Sequence, residues 1–156
     1  MKNGLTPLWS DDDVERWFDI FVDRTEEKTY KLLLKAGETF VKYAREKGNY
    51  NDCTGNLRSS IGYLIINDGQ ILTENFEKSD KGTDRETGLG KGRQLAKLLG
   101  NENPCDWILV CVAGMKYAAS VEARGKDVIT CAVTATEDDL RKQIQKVFDK
   151  ATEYGR

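Results

Sequence analysis

From Ser10 to Lys47 one helical period runs unbroken, and a helix of that length limits what else the chain can build. Ser10 supplies a hydroxyl N-cap and Asp13 a capping-box acid, while Asp11, Asp12 and Asp13 set negative charge at the positive end of the helix dipole. Val14, Trp17, Phe18 and Phe21 form an apolar stripe. Leu33, Ala36, Phe40 and Ala44 continue it at spacings of three and four, and Gly48 is the stop signal. Residues 11–27 carry eight acids against two bases, and residues 28–48 six bases against two acids. That polarity suits the macrodipole, and Glu27–Lys31 and Glu38–Lys42 add i,i+4 pairs. It also gives the rod unlike ends that can meet a neighbour head to tail. A helix of this span is roughly 57 Å long, whereas a compact domain of this size is about 40 Å across. Either it bends near Gly37 or its N-terminal part overhangs, leaving Trp17, Phe18 and Phe21 for a partner to cover.

Beyond the turn-rich segment 48–52 the period changes. Ile61–Ile66 is β-rich, Asn67-Asp68-Gly69 is a hairpin signal, and Gln70–Phe76 reads as the returning strand. Residues 77–92 are polar and glycine-rich, followed by a short helix from Arg93 to Leu99. Trp107–Ala113 is a strong buried strand and Asp127–Thr134 a last one. Thr136-x-x-Asp139 then opens a helix with the stripe Leu140, Ile144, Val147, Phe148 and Ala151. Without βαβ alternation the fold class is α+β. It comprises one domain over 1–156 with a long N-terminal helix, an antiparallel sheet of about four strands, and a C-terminal helix packed on one face. The excursion from Glu77 to Pro104 exceeds what a hairpin needs and reads as a mobile segment that orders against a neighbouring subunit.

The chain has no histidine, which removes the usual general base, the Ser-His-Asp and Cys-His arrangements and most catalytic metal sites. Cys53, Cys105, Cys111 and Cys131 form no Cys-x-x-Cys pair, and Cys111 and Cys131 lie in apolar runs, so they read as small reduced core hydrophobes. No metal, cofactor or catalytic residue is indicated, and the expectation is a protein that is not an enzyme. A formal net charge of -2 gives no global attraction to nucleic acid or anionic lipid. No apolar run approaches bilayer length and no secretory leader opens the chain, so a cytoplasmic location follows, with no membrane partner.

Two short runs remain: Thr54-Gly55-Asn56-Leu57-Arg58-Ser59-Ser60-Ile61 and Tyr117-Ala118-Ala119-Ser120-Val121-Glu122, the latter closed by Gly125. Each places a glycine, small residues, one charged group and apolar anchors where a turn hands over to a strand. Leu57 is the inward anchor of the first, and Arg58 points to solvent or a partner. Tyr117 and Val121 share one face of a helical turn in the second. Singly, each is an ordinary junction. Jointly, in this order and with a long helix before and a helix after, they resemble the tailed-phage head–tail connector or tail-completion family. Its Thr-Gly-x-Leu-Arg-x-Ser and Tyr-Ala-x-x-Val-Glu-x-x-Gly runs match about twenty positions here.

The resemblance implies a structural virion protein of the head–tail junction, made in the host bacterial cytoplasm and assembled as a homo-oligomeric ring with neighbouring connector and tail proteins. Arg58 and Glu122, the charged members of the two junctions, then become candidates for an ion pair worth about 0–1 kcal/mol if exposed. Tyr117, Trp17, Phe18 and Phe21 are further interface candidates. The glycine run 88–92 fails the Walker pattern on both sides. Lys91, Arg93 and Lys97 nevertheless allow an alternative reading, a small non-specific nucleic-acid-binding module using residues 88–97 against DNA phosphate.

Overall fold

The computed structural model describes residues 10–154. The element order is α1 (Asp11–Glu46), α2 (Asn56–Ser59), β1 (Ile61–Asn67), β2 (Gln70–Phe76), α3 (Glu86–Glu102), β3 (Trp107–Ala113), α4 (Ala118–Ala123) and α5 (Thr130–Tyr154). The fold is α+β, with a long N-terminal helix, a small antiparallel sheet and a C-terminal helix. The chain divides into two compact units between Lys31 and Leu32, inside α1.

In the first unit the capping box forms as its residue types dictate. The Ser10 amide donates to Asp13 Oδ2 at 3.0 Å, and the Asp13 amide donates back to Ser10 Oγ at 3.2 Å. The Ser10 amide, with the Ser10 hydroxyl donating to the same Oδ2 at 2.8 Å, holds the Asp13 carboxyl below its ordinary pKa. Trp17, Phe18 and Phe21 are 58, 66 and 68% exposed, so this stretch of helix is held by propensity and capping and not by packing.

The second unit is built on a three-stranded sheet in the order β2-β1-β3, antiparallel throughout. The hairpin forms at Asp68 and Gly69, with φ of +48° and +75°, the pair of positive angles that a two-residue turn of matching twist demands. Strand β1 is central, and Ile61–Ile66 are all buried. One face carries Tyr63, whose ring lies against Gly37 of α1. A Cβ at Gly37 would sit 2.6 Å from that ring. Gly37 therefore admits the tyrosine, and the helix is uninterrupted there. The Tyr63 hydroxyl donates to Glu38 Oε1 at 2.6 Å, and Asn75 Nδ2 donates to the same oxygen at 2.8 Å. The other face packs Leu64, Ile66, Phe76, Val110 and Val112 onto Leu89 and Ala96 of α3. Helices thus cover both sheet faces, where the sequence suggests one. Each such buried side chain contributes about 1.5–3 kcal/mol against about 1 for a typical hydrogen bond, so this layer dominates stability.

Two sequence expectations are corrected. The glycine-rich stretch taken as loop is largely helix, since α3 starts at Glu86. Its Gly88, Gly92, Ala96 and Gly100 recur every four residues, and all four are buried. A Cβ at Gly88 would collide with the Asn56 carbonyl, and one at Gly92 would lie 2.5 Å from the Ser60 carbonyl oxygen. The glycines are the close-packing face of a helix. The expected strand 127–134 is also absent. Residues 130–134 belong to α5, and Val128, Ala132 and Thr136, spaced by four, face inward. Thr136 is not an N-cap, because its hydroxyl donates to the Ala132 carbonyl at 2.7 Å from within the helix. Cys131 follows it to the surface. Only Cys111 lies in the sheet, where burial pushes its thiol up to about 12, and Cys53 and Cys105 are exposed.

Glycine substitutions in α3 separate packing from propensity. Gly90 has nothing within 4 Å of its would-be Cβ. Gly90→Ala is expected to stabilise by about 0.5–1 kcal/mol. Gly88→Ala and Gly92→Ala are expected to destabilise by about 1–3 kcal/mol despite the same propensity gain. Urea denaturation of the three variants measures the opposite signs.

Candidate functional site: the paired junctions

The antiparallel pairing of β1 with β3 sets Ile61 opposite Ala113, so the run before β1 and the run after β3 emerge at the same end of the sheet. The Gly114 amide donates to the Ser60 carbonyl at 3.1 Å. Thr54 of the first run, and Asp52 just before it, lie in the electrostatic surroundings of the Tyr117 hydroxyl. Partial burial, with Asp52, raises its pKa. The two runs are therefore one site.

In the first junction Gly55 adopts φ +78°, which only glycine takes without strain, and a Cβ there would strike the Lys81 carbonyl. The single turn α2 follows. Its free amides are taken by Asp52, whose Oδ2 accepts from Arg58 N at 2.7 Å and Oδ1 from Leu57 N at 3.4 Å. Asn56 is buried and bonds in two directions. Its Oδ1 accepts from the Gly88 amide at 2.6 Å, and its Nδ2 donates to Asp84 Oδ2 at 3.2 Å. The Asn56 Nδ2 bond, with Thr87, holds Asp84 below its ordinary pKa. Ser59 Oγ donates to the Gly55 carbonyl at 2.5 Å and accepts from Ser79 N at 2.8 Å. The junction thereby secures the segment 79–85 and the start of α3.

Leu57 is buried as expected. Arg58 does not point freely outward: its guanidinium stacks 5.4 Å from the Tyr50 ring centre, and its Nε is buried without a hydrogen-bond partner. Arg58 lines a cavity of about 900 Å³ with Lys35, Lys42, Arg45, Asn75 and Lys78 among others. Burial there lowers the pKa of Arg45, offset by Glu77. Its guanidinium donates to the Ile61 carbonyl at 2.7 Å.

In the second junction Tyr117 precedes α4, and the Val121 amide donates to its carbonyl at 3.0 Å, which gives the single turn read from the sequence. Gly125, at φ +78°, releases the chain into α5 instead of a strand. Glu122 Oε1 accepts from Ile129 N at 2.8 Å, Thr130 N at 3.0 Å, Val128 N at 3.3 Å and Thr130 Oγ1 at 3.0 Å. Burial pushes this carboxyl up, but the bonds outweigh it and leave the pKa lowered. Glu122 is the cap of α5. Arg58 and Glu122 have separate partners, and among the described residues no ion pair joins them.

The remaining candidates lie elsewhere. Trp17, Phe18 and Phe21 are on the first unit's helix. Lys91 is exposed on α3, whereas Arg93 forms an ion pair with Glu74 of β2, and Lys97 approaches the same carboxylate at 3.9 Å. Two of the three cations proposed for phosphate are thus engaged within the chain. Among the described residues no group of three or more Cys, Asp or Glu side chains is placed to hold a metal, and no helix is long and apolar enough to cross a membrane. Sequence reasoning missed Asn56, Asp52 and Asp84. The one local signal for Asn56 is its place directly after a positive-φ glycine.

Glu122→Ala is expected to cost about 1 kcal/mol through loss of the cap, and Glu122→Gln less, since one acceptor oxygen remains. The folded-state pKa of Glu122 is depressed. Its contribution is therefore full at neutral pH and is lost as pH falls below about 4. Thermal melts of wild type and Glu122→Gln at pH 7 and pH 3 should show the gap narrowing in acid. No family model, curated protein or solved structure matches this chain.

Proposed function

We propose that the protein is a structural, non-enzymatic subunit of the tailed-phage head–tail junction, working as a ring that joins or completes the tail beside neighbouring connector and tail proteins. The observation that carries this reading is the emergence of the two signature runs at one end of the sheet, where Ile61 pairs with Ala113 and the Gly114 amide donates to the Ser60 carbonyl. A paired signature on unrelated parts of the fold would have removed the reason to take the runs jointly.

The internal chemistry of the junctions agrees with a building block. Asp52, Asn56, Asp84 and Glu122 each direct an oxygen to backbone or side-chain donors of the same chain and so fix the shape of the junctions. Large exposed apolar side chains, Trp17, Phe18 and Phe21 above all, supply surface for neighbours to cover.

Native mass spectrometry over a concentration series, with electron microscopy of the largest species, tests the reading. It predicts concentration-dependent oligomers that appear as closed rings. A chain that stays monomeric throughout contradicts it.

A further inference from the structure

Two helical stretches present unpartnered apolar side chains with opposite charge around them. In α1, Trp17, Phe18 and Phe21 are 58–68% exposed, within a segment of eight acids against two bases over residues 11–27. The inward residues Val128, Ala132 and Thr136 lie just before and at the start of α5. Further along, Ile144, Val147 and Phe148 are 40, 44 and 64% exposed. Beyond Asp139 that helix carries Arg141, Lys142, Lys146 and Lys150 against Asp149 and Glu153. Both stripes repeat at spacings of three and four, the geometry with which helices pack side chain between side chain.

We infer that the Ile144-Val147-Phe148 face of α5 is the docking surface for the Trp17-Phe18-Phe21 face of α1 in a second copy of this chain. The charges select this pairing over its rivals. Two α1 segments brought together set acids against acids, and two α5 segments set bases against bases, whereas α1 on α5 joins unlike fields around an apolar centre. Such a contact uses different surfaces on the two copies. It is heterologous, so a pair of copies retains one free face of each kind, one on each copy, and the series either closes into a ring or runs on as a filament. The inference rests on the ring reading above and names the surfaces that would make the ring.

Because Phe18 and Phe148 are already exposed, Phe18→Asp and Phe148→Asp remove one face each without opening the core, and circular dichroism checks that both keep wild-type helicity. Sedimentation of the full chain then gives the answer. Each variant alone is expected to be monomeric. An equimolar mixture is expected to form a one-to-one dimer and nothing larger, since one intact α1 face and one intact α5 face remain between them. Self-assembly that survives either substitution overturns the contact and leaves the ring reading standing. So does a mixture that stays monomeric under conditions where wild type assembles. A wild type monomeric to millimolar concentration overturns both.

Discussion

The second unit depends on how closely α3 can approach the turn that precedes β1. Gly88 and Gly92 let the helix backbone lie against the Asn56 and Ser60 carbonyls, where any Cβ would collide. Asn56 closes that approach by accepting from the Gly88 amide and donating to Asp84. Once α3 is at this distance, Leu89 and Ala96 reach Leu64, Phe76, Val110 and Val112, and the buried layer that dominates stability can form. A helix one methyl further out would leave those contacts open, and dispersion falls steeply with such a gap.

The same close approach joins the two junctions. Gly114, just past β3, lies against Gly92 and donates to Ser60, so the end of β3 is tied to the start of β1 where α3 passes both. Beyond it Thr54 lies in the electrostatic surroundings of the Tyr117 hydroxyl, and Glu122 gathers the free amides at the start of α5. The charged residues of the junctions serve the fold locally. Arg58 stacks on Tyr50, and Glu122 caps a helix.

What the sequence revealed divides by the range of the causes. The N-cap of α1, the Asp68-Gly69 turn, strand β3 and the helical turn after Tyr117 are set by neighbours in the chain, and all are legible. Of helix α3 the part from Arg93 to Leu99 is legible and the part before it is not. Its glycines argue for a loop by propensity, and their four-residue spacing acquires meaning only against the Asn56 and Ser60 backbones, roughly thirty residues away. Helix α5 hid for a related reason. Val128, Ile129, Val133 and Thr134 favour a strand by type, while the decisive signals are the spacing of Val128, Ala132 and Thr136 and a cap supplied by Glu122 from the preceding turn. Within the chain Arg58 and Glu122 do not pair, since Arg58 stacks on Tyr50 and Glu122 accepts from the backbone of 128–130; their pairing across a ring interface concerns the assembly and not the single chain.

Within the second unit the two junctions are joined by the Gly114–Ser60 bond, and the first of them to α3 by the Gly88–Asn56 bond. Native-state amide exchange tests that claim directly. The account predicts that the amides of Arg58, Gly88 and Gly114 open together, with the free energy of global unfolding, as one cooperative unit. Opening of the segment 114–125 at distinctly lower free energy than 54–60 would contradict it.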